Sequence, residues 1–103
     1  MKIELLYFDG CPSWRPALDN LKSALQEEGI TESVNAIEIV SDEQAQQEKF
    51  LGSPSIRVDG NDLWFEQRAN HSLSCRVYVT PEGVMGSPTI EMLRSKIKMI
   101  VTS

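Results

Sequence analysis

A chain of 103 residues, 41% hydrophobic and 24% charged, is long enough to bury one core and too short to bury two, so a single domain over residues 1–103 is expected. Those fractions lie near globular averages and exclude a disordered or low-complexity protein, while a formal net charge of −5 without a clustered Lys/Arg face argues against a nucleic-acid partner. The opening stretch is too short and too acidic for a secretory h-region and no apolar run reaches membrane-spanning length, so a cytoplasmic protein with no membrane partner is expected.

Residues Ile3 to Phe8 are nearly continuous in apolar and aromatic side chains and stop at Asp9 and Gly10, the pattern of a strand buried on both faces. Ala17, Leu18, Leu21, Ala24 and Leu25 recur at helical steps up to Gly29, which predicts a helix from Trp14 to Glu28. Two starts are open to it. With Cys11 as N-cap, Pro16 falls inside the helix and kinks it; with Ser13 as N-cap, Pro16 falls in the first turn and Cys11 lies outside.

Residues Val34 to Val40 form a second strand of buried character, and a strand, helix and strand in this order predict a parallel βαβ unit. Ser41 and Gln44 have capping-box spacing, so a short helix follows and stops near Gly52. Ser55 to Val58 alternates as a half-buried strand and ends in the turn residues Asp59 to Asp62. Leu63 to Ser74 has no clean period and reads as a loop; Arg76 to Thr80 reads as a strand; Ser87 and Pro88 open a closing helix. The order is β-α-β-α-β-β-α.

This order, with Gly10-Cys11-Pro12-Ser13-Trp14 after the first strand and Gly52-Ser53-Pro54 before the third, resembles the thioredoxin-like superfamily over nearly the whole chain. Within it, the chain is most similar to short bacterial Gly-Cys-Pro-x-Trp proteins, some labelled alkylmercury-lyase-related. The resemblance implies an α/β fold with a mixed four-stranded sheet flanked by helices. It implies that Cys11 is the nucleophile, that Pro54 is a cis-proline facing it, and that Pro12, Trp14, Ser53 and Pro54 contact substrate. An extended substrate would add as a strand to the backbone before Pro54. Read without the resemblance, Pro54 is a trans-proline, as most prolines are, that merely prevents the preceding helix from continuing.

Trp14 occupies the position of the second cysteine of the Cys-x-x-Cys motif, so a disulfide within one helical turn cannot form. Cys75 is the only other thiol, and an intramolecular bridge must join it to Cys11. A cysteine at the start of an antiparallel fourth strand would lie at the far end of the sheet, yet the long connection before it could return it to Cys11. Trp14 either covers the thiol or seals the helix-to-sheet junction, and Cys75 either resolves a mixed disulfide or is structural.

The thiolate is the attacking species, and a nearby helix N-terminus with its unpaired N–H groups stabilises an anion. Three functions are compatible with these residues: a thiol–disulfide oxidoreductase exchanging with glutathione or a protein thiol, a non-catalytic binding module, and a soft-metal or organomercurial thiol site. No cofactor and no resident metal are expected, because one histidine and two cysteines do not complete a structural zinc site. Trp64 and Phe65 either cap the core or form a partner or homodimer patch.

Overall fold

The computed structural model describes residues 1–102. Ile3–Tyr7 forms β1, the strand that both main layers share. Its side chains alternate between faces: Ile3 and Leu5 enter one apolar cluster and Leu6 the other, so a near-continuous apolar run is what a strand covered on both sides requires. Val34–Glu38 forms β2, parallel to β1 in the register Ile3 to Val34 through Tyr7 to Glu38. Its buried character does not hold. β2 is the sheet's outer strand, and Asn35, Ala36 and Glu38 are exposed because no second neighbour covers them.

Trp14–Glu27 forms α1, with Ser13 at the N-cap. Pro16 therefore lies in the first turn, where its missing N–H breaks no intrahelical bond. Ala17, Leu21, Ala24 and Leu25 turn one stripe onto the sheet. The helix closes in a Schellman motif: Gly29 takes φ 71°, its N–H reaches Gln26 O at 3.1 Å, and Ile30 N–H reaches Leu25 O at 2.9 Å.

Asp42–Glu48 forms α2, on the opposite face. Ser41 Oγ accepts from Gln44 N at 3.0 Å, while Gln44 Oε1 accepts from Val40 N at 2.9 Å, one residue earlier than in a regular capping box. Lys49 in the left-handed region at φ 53° ends the helix three residues before Gly52. Phe50 then packs with Leu6, Ile39 and Ala45 to form the second core cluster.

Ser55–Val58 forms β3, antiparallel to β1. Asp59 and Gly60 take φ 52° and 84°, the two positive values of a type I′ hairpin, so Asn61–Asp62 folds back as β4. The sheet order is β2-β1-β3-β4, mixed and four-stranded as expected. Its fourth strand is this short return and not the segment 76–80, because the tight turn fills the free edge of β3 first. Tyr78–Thr80, β5, instead pairs with Gly83–Met85, β6, in a separate hairpin.

Ile90–Val101 forms α3 and packs beside α1 through Leu93 and Ile97. Its cap is Thr89, whose Oγ1 accepts from Met92 N at 3.1 Å, two residues after Ser87; Pro88 lies before the cap and its carbonyl accepts from Asn20 Nδ2 at 3.0 Å. The strand and helix order fits the thioredoxin-like α/β fold, with α1 and α3 on one side of the sheet and α2 on the other.

Candidate functional site

β1 ends at Tyr7, and the turn that follows closes when Cys11 N donates to Phe8 O at 3.1 Å. This turn brings Cys11 to the mouth of α1, two residues ahead of its cap, where the field of the helix is weaker than at the cap itself. The Ser53–Pro54 peptide bond is cis, as the resemblance implied. Cys11 Sγ lies across from it and donates to Ser53 O at 3.5 Å. Cys11 is only 3% exposed. Pro12 stands exposed beside it, whereas Trp14 is buried and stacks on Tyr7 with ring centroids 3.9 Å apart, so it seals the junction between helix and sheet. Arg15 covers the Trp14 ring at 4.5 Å from its centroid.

The loop from Leu63 returns to this point. Ser53 N donates to Ser74 O at 2.8 Å and Arg76 N donates to Ser53 O at 2.9 Å, a parallel bridge that places Cys75 beside Ser53. The far-end position expected for Cys75 is thereby corrected: an antiparallel fourth strand would have carried it away, but that strand is β4, and the longer loop is free to come back. Cys11 and Cys75 are both free thiols, one buried and one exposed.

Arg76 holds the returning segment down. Its side chain is 3% exposed, and Nη1 donates to Asp62 Oδ2 at 2.9 Å and to Ser55 Oγ at 3.4 Å, while Nη2 donates to the Trp64 carbonyl. Gly52, at φ 111°, allows the close approach, since a Cβ there would lie 3.0 Å from Arg76 Cβ. Tyr78 Oη donates to Pro54 O at 2.6 Å and braces the cis-proline from behind. Upstream, Leu73 N donates to Asp42 Oδ1 and His71 N to Gln46 Oε1, both at 2.9 Å, which ties the loop to α2, and His71 Nδ1 lies 3.0 Å from Phe50 O just beyond that helix.

The electrostatics of the pair have a direction. Cys75 is pushed above the ordinary thiol value, first by desolvation on the side where its sulfur meets the protein, then by the charge of Cys11 and by a hydrogen bond with the Cys11 side chain. Burial pushes the Tyr78 hydroxyl well above its usual range, only partly offset by the Arg76 cation. For Arg76 burial alone would favour the neutral form, but Tyr78, Asp62 and Glu66 outweigh it and hold the guanidinium charged.

Comparison with known families places this arrangement: the profile of a domain of unknown function, DUF2703, matches residues 12–95, most of the chain. The chain belongs to the DUF2703 family. No curated protein matches it, and no solved structure does. The DUF2703 match covers Ser53, Pro54, Cys75 and Arg76, and starts one residue after Cys11. Among the described residues of this DUF2703 chain, no group of three or more His, Cys, Asp and Glu side chains could hold a metal ion, and no helix is long and apolar enough to cross a membrane.

Three residues of the site were not singled out from sequence: Asp62, Arg76 and Tyr78. The signal was an arginine and a tyrosine at alternate positions of an apolar run, which reads as a strand face until the buried carboxylate that pairs with the arginine is located. Trp64 and Phe65 separate in the structure. Trp64 packs edge-on against Tyr78 at 5.2 Å and belongs to the core margin, while Phe65 is 75% exposed.

Proposed function

We propose that this DUF2703 protein is a thioredoxin-like thiol–disulfide oxidoreductase in which Cys11 attacks and Cys75 resolves. The observation that carries the reading is that both cysteines flank Ser53 beside the cis-proline, Cys11 through its Sγ on Ser53 O and Cys75 through the backbone bridge, so that a loop brings a second cysteine to the place where Trp14 leaves the helix without one. The thiolate is the species that attacks, and the N–H groups at the start of α1 are the nearby donors suited to stabilise an anion. The Cys11 thiolate displaces one sulfur of a disulfide and forms a mixed disulfide; the other half leaves as a thiolate and takes up a proton. Cys75 then loses its proton and attacks the Cys11 sulfur, closing a Cys11–Cys75 bond and releasing the second thiol. Two protein thiols are oxidised and one disulfide is reduced to two thiols. A cytoplasmic, reducing setting suits a pair that rests as free thiols.

Non-reducing mass spectrometry after exposure to glutathione disulfide tests this. A Cys11–Cys75 bridge in the parent protein, with glutathione trapped on Cys11 in Cys75→Ser, is expected. Unreactive thiols would instead support a binding module, and binding of a soft cation without disulfide exchange would support a two-thiolate metal site. Trapping on Cys75 in Cys11→Ser, with no adduct in Cys75→Ser, would reverse the assigned roles.

A further inference from the structure

We infer that the substrate of this thiol pair is a low-molecular-weight disulfide, and that an extended polypeptide is excluded because residues 74–76 already occupy the backbone beside the cis-proline. The inference rests on the redox reading above and narrows it. An extended substrate would need main-chain donors and acceptors at Ser53 and Pro54. Ser53 N is spent on Ser74 O; Ser53 O accepts from both Arg76 N and Cys11 Sγ; Pro54 has no N–H and its carbonyl accepts from Tyr78 Oη. The chain has laid its own segment where a substrate strand would pair, and the residue of that segment facing Ser53 is a cysteine.

That segment is not a loose flap. Arg76 is buried on Asp62, the flanking loop is bonded to α2 through Leu73 N on Asp42 and His71 N on Gln46, and Gly52 lets the two backbones meet at van der Waals contact. Displacing it would expose a buried guanidinium and strip a carboxylate of its partner, which is costly. What remains at the surface is Cys75 and Pro12, while Cys11 is buried. A tripeptide-sized disulfide reaches a sulfur there without needing the Ser53 backbone, whereas a cysteine inside a polypeptide brings flanking chain that has no place to lie.

The test uses the full reduced chain and two probes at equal disulfide concentration: glutathione disulfide, and a peptide of about 15 residues whose central cysteine is joined to glutathione. The rate of Cys11–Cys75 bridge formation is read by quenching and mass spectrometry, and each rate is divided by that of dithiothreitol with the same probe. A normalised preference of roughly tenfold or more for glutathione disulfide is expected. Asp62→Asn, which loosens Arg76, should narrow the preference by raising the peptide rate relative to the glutathione disulfide rate, and an unchanged preference in this variant counts against the inference. Equal or faster reaction of the peptide in the parent protein overturns this inference while leaving the redox reading intact. Failure to react with either probe overturns both.

Discussion

Cys75 lies on the surface yet holds its proton more tightly than an ordinary thiol, and the causes can be separated by substitution. Desolvation acts whatever its neighbour is, whereas the Cys11 charge vanishes in Cys11→Ser. The pH midpoint for alkylation of Cys75 is therefore expected to lie above the ordinary thiol value and to fall toward it, but not fully to it, in Cys11→Ser. An unchanged midpoint would show that the sulfurs do not interact. The linkage sign follows. A thiol whose folded value is raised binds its proton more tightly in the native state, so its contribution to stability is full below the unfolded thiol value of about 8.5 and is lost as pH rises. Tyr78 acts in the same direction from about pH 10 upward. Denaturant midpoints should thus decline progressively on the alkaline side. Ser53 adds a different feature: its buried Oγ has no hydrogen-bond partner among the described residues, although both its backbone groups are engaged.

The elements meet at a point that depends on the absence of a side chain. After β6, Gly86 passes so near the start of α1 that a Cβ there would sit 2.0 Å from Ser13 Oγ and 2.8 Å from Ser13 Cβ. Rotating the serine relieves the first distance but not the second, so Gly86→Ala must push the β5–β6 hairpin away from the α1 N-terminus. The cost expected for such overpacking is about 1–3 kcal/mol in thermal or denaturant unfolding. Ser13→Gly in the Gly86→Ala background should recover part of it, since it removes the atoms that clash. A double variant no more stable than Gly86→Ala would show that the contact is not what limits the hairpin.

At the scale of the molecule, the Asp62–Arg76 pair joins β4, the long loop and the approach to β5 in one buried contact, with side chains 5% and 3% exposed. Removing one member leaves the other charge buried without its partner. Asp62→Ala is expected to destabilise the fold by about 3–5 kcal/mol, a large share of the stability of a small domain, and to raise protease cleavage between residues 63 and 76. A loss below about 1 kcal/mol would place the pair among solvent-screened surface bridges.

Much of this was legible along the chain. The apolar run of β1, the stripe of α1 ending at Gly29, the Ser41 cap and the order of the first three strands are properties of adjacent or near-adjacent residues, and local periodicity and turn chemistry are sufficient to read them. Asp59 and Gly60 carried a hairpin signal as well, but the strand they return is only two residues long and has no period to detect. The exposure of β2 was not legible, because an apolar run does not record whether a strand has one neighbour or two.

The sequence by itself determined that Cys11 follows the first strand at the entry to a helix and that Trp14 stands three residues after it. Only the tertiary structure decided that Cys75 and Cys11 both come to Ser53 and that Ser74–Arg76 pairs with the backbone beside the cis-proline. Those contacts span a loop without periodicity, and their position is set by a buried ion pair and by backbone groups of Ser53 that composition and spacing do not encode.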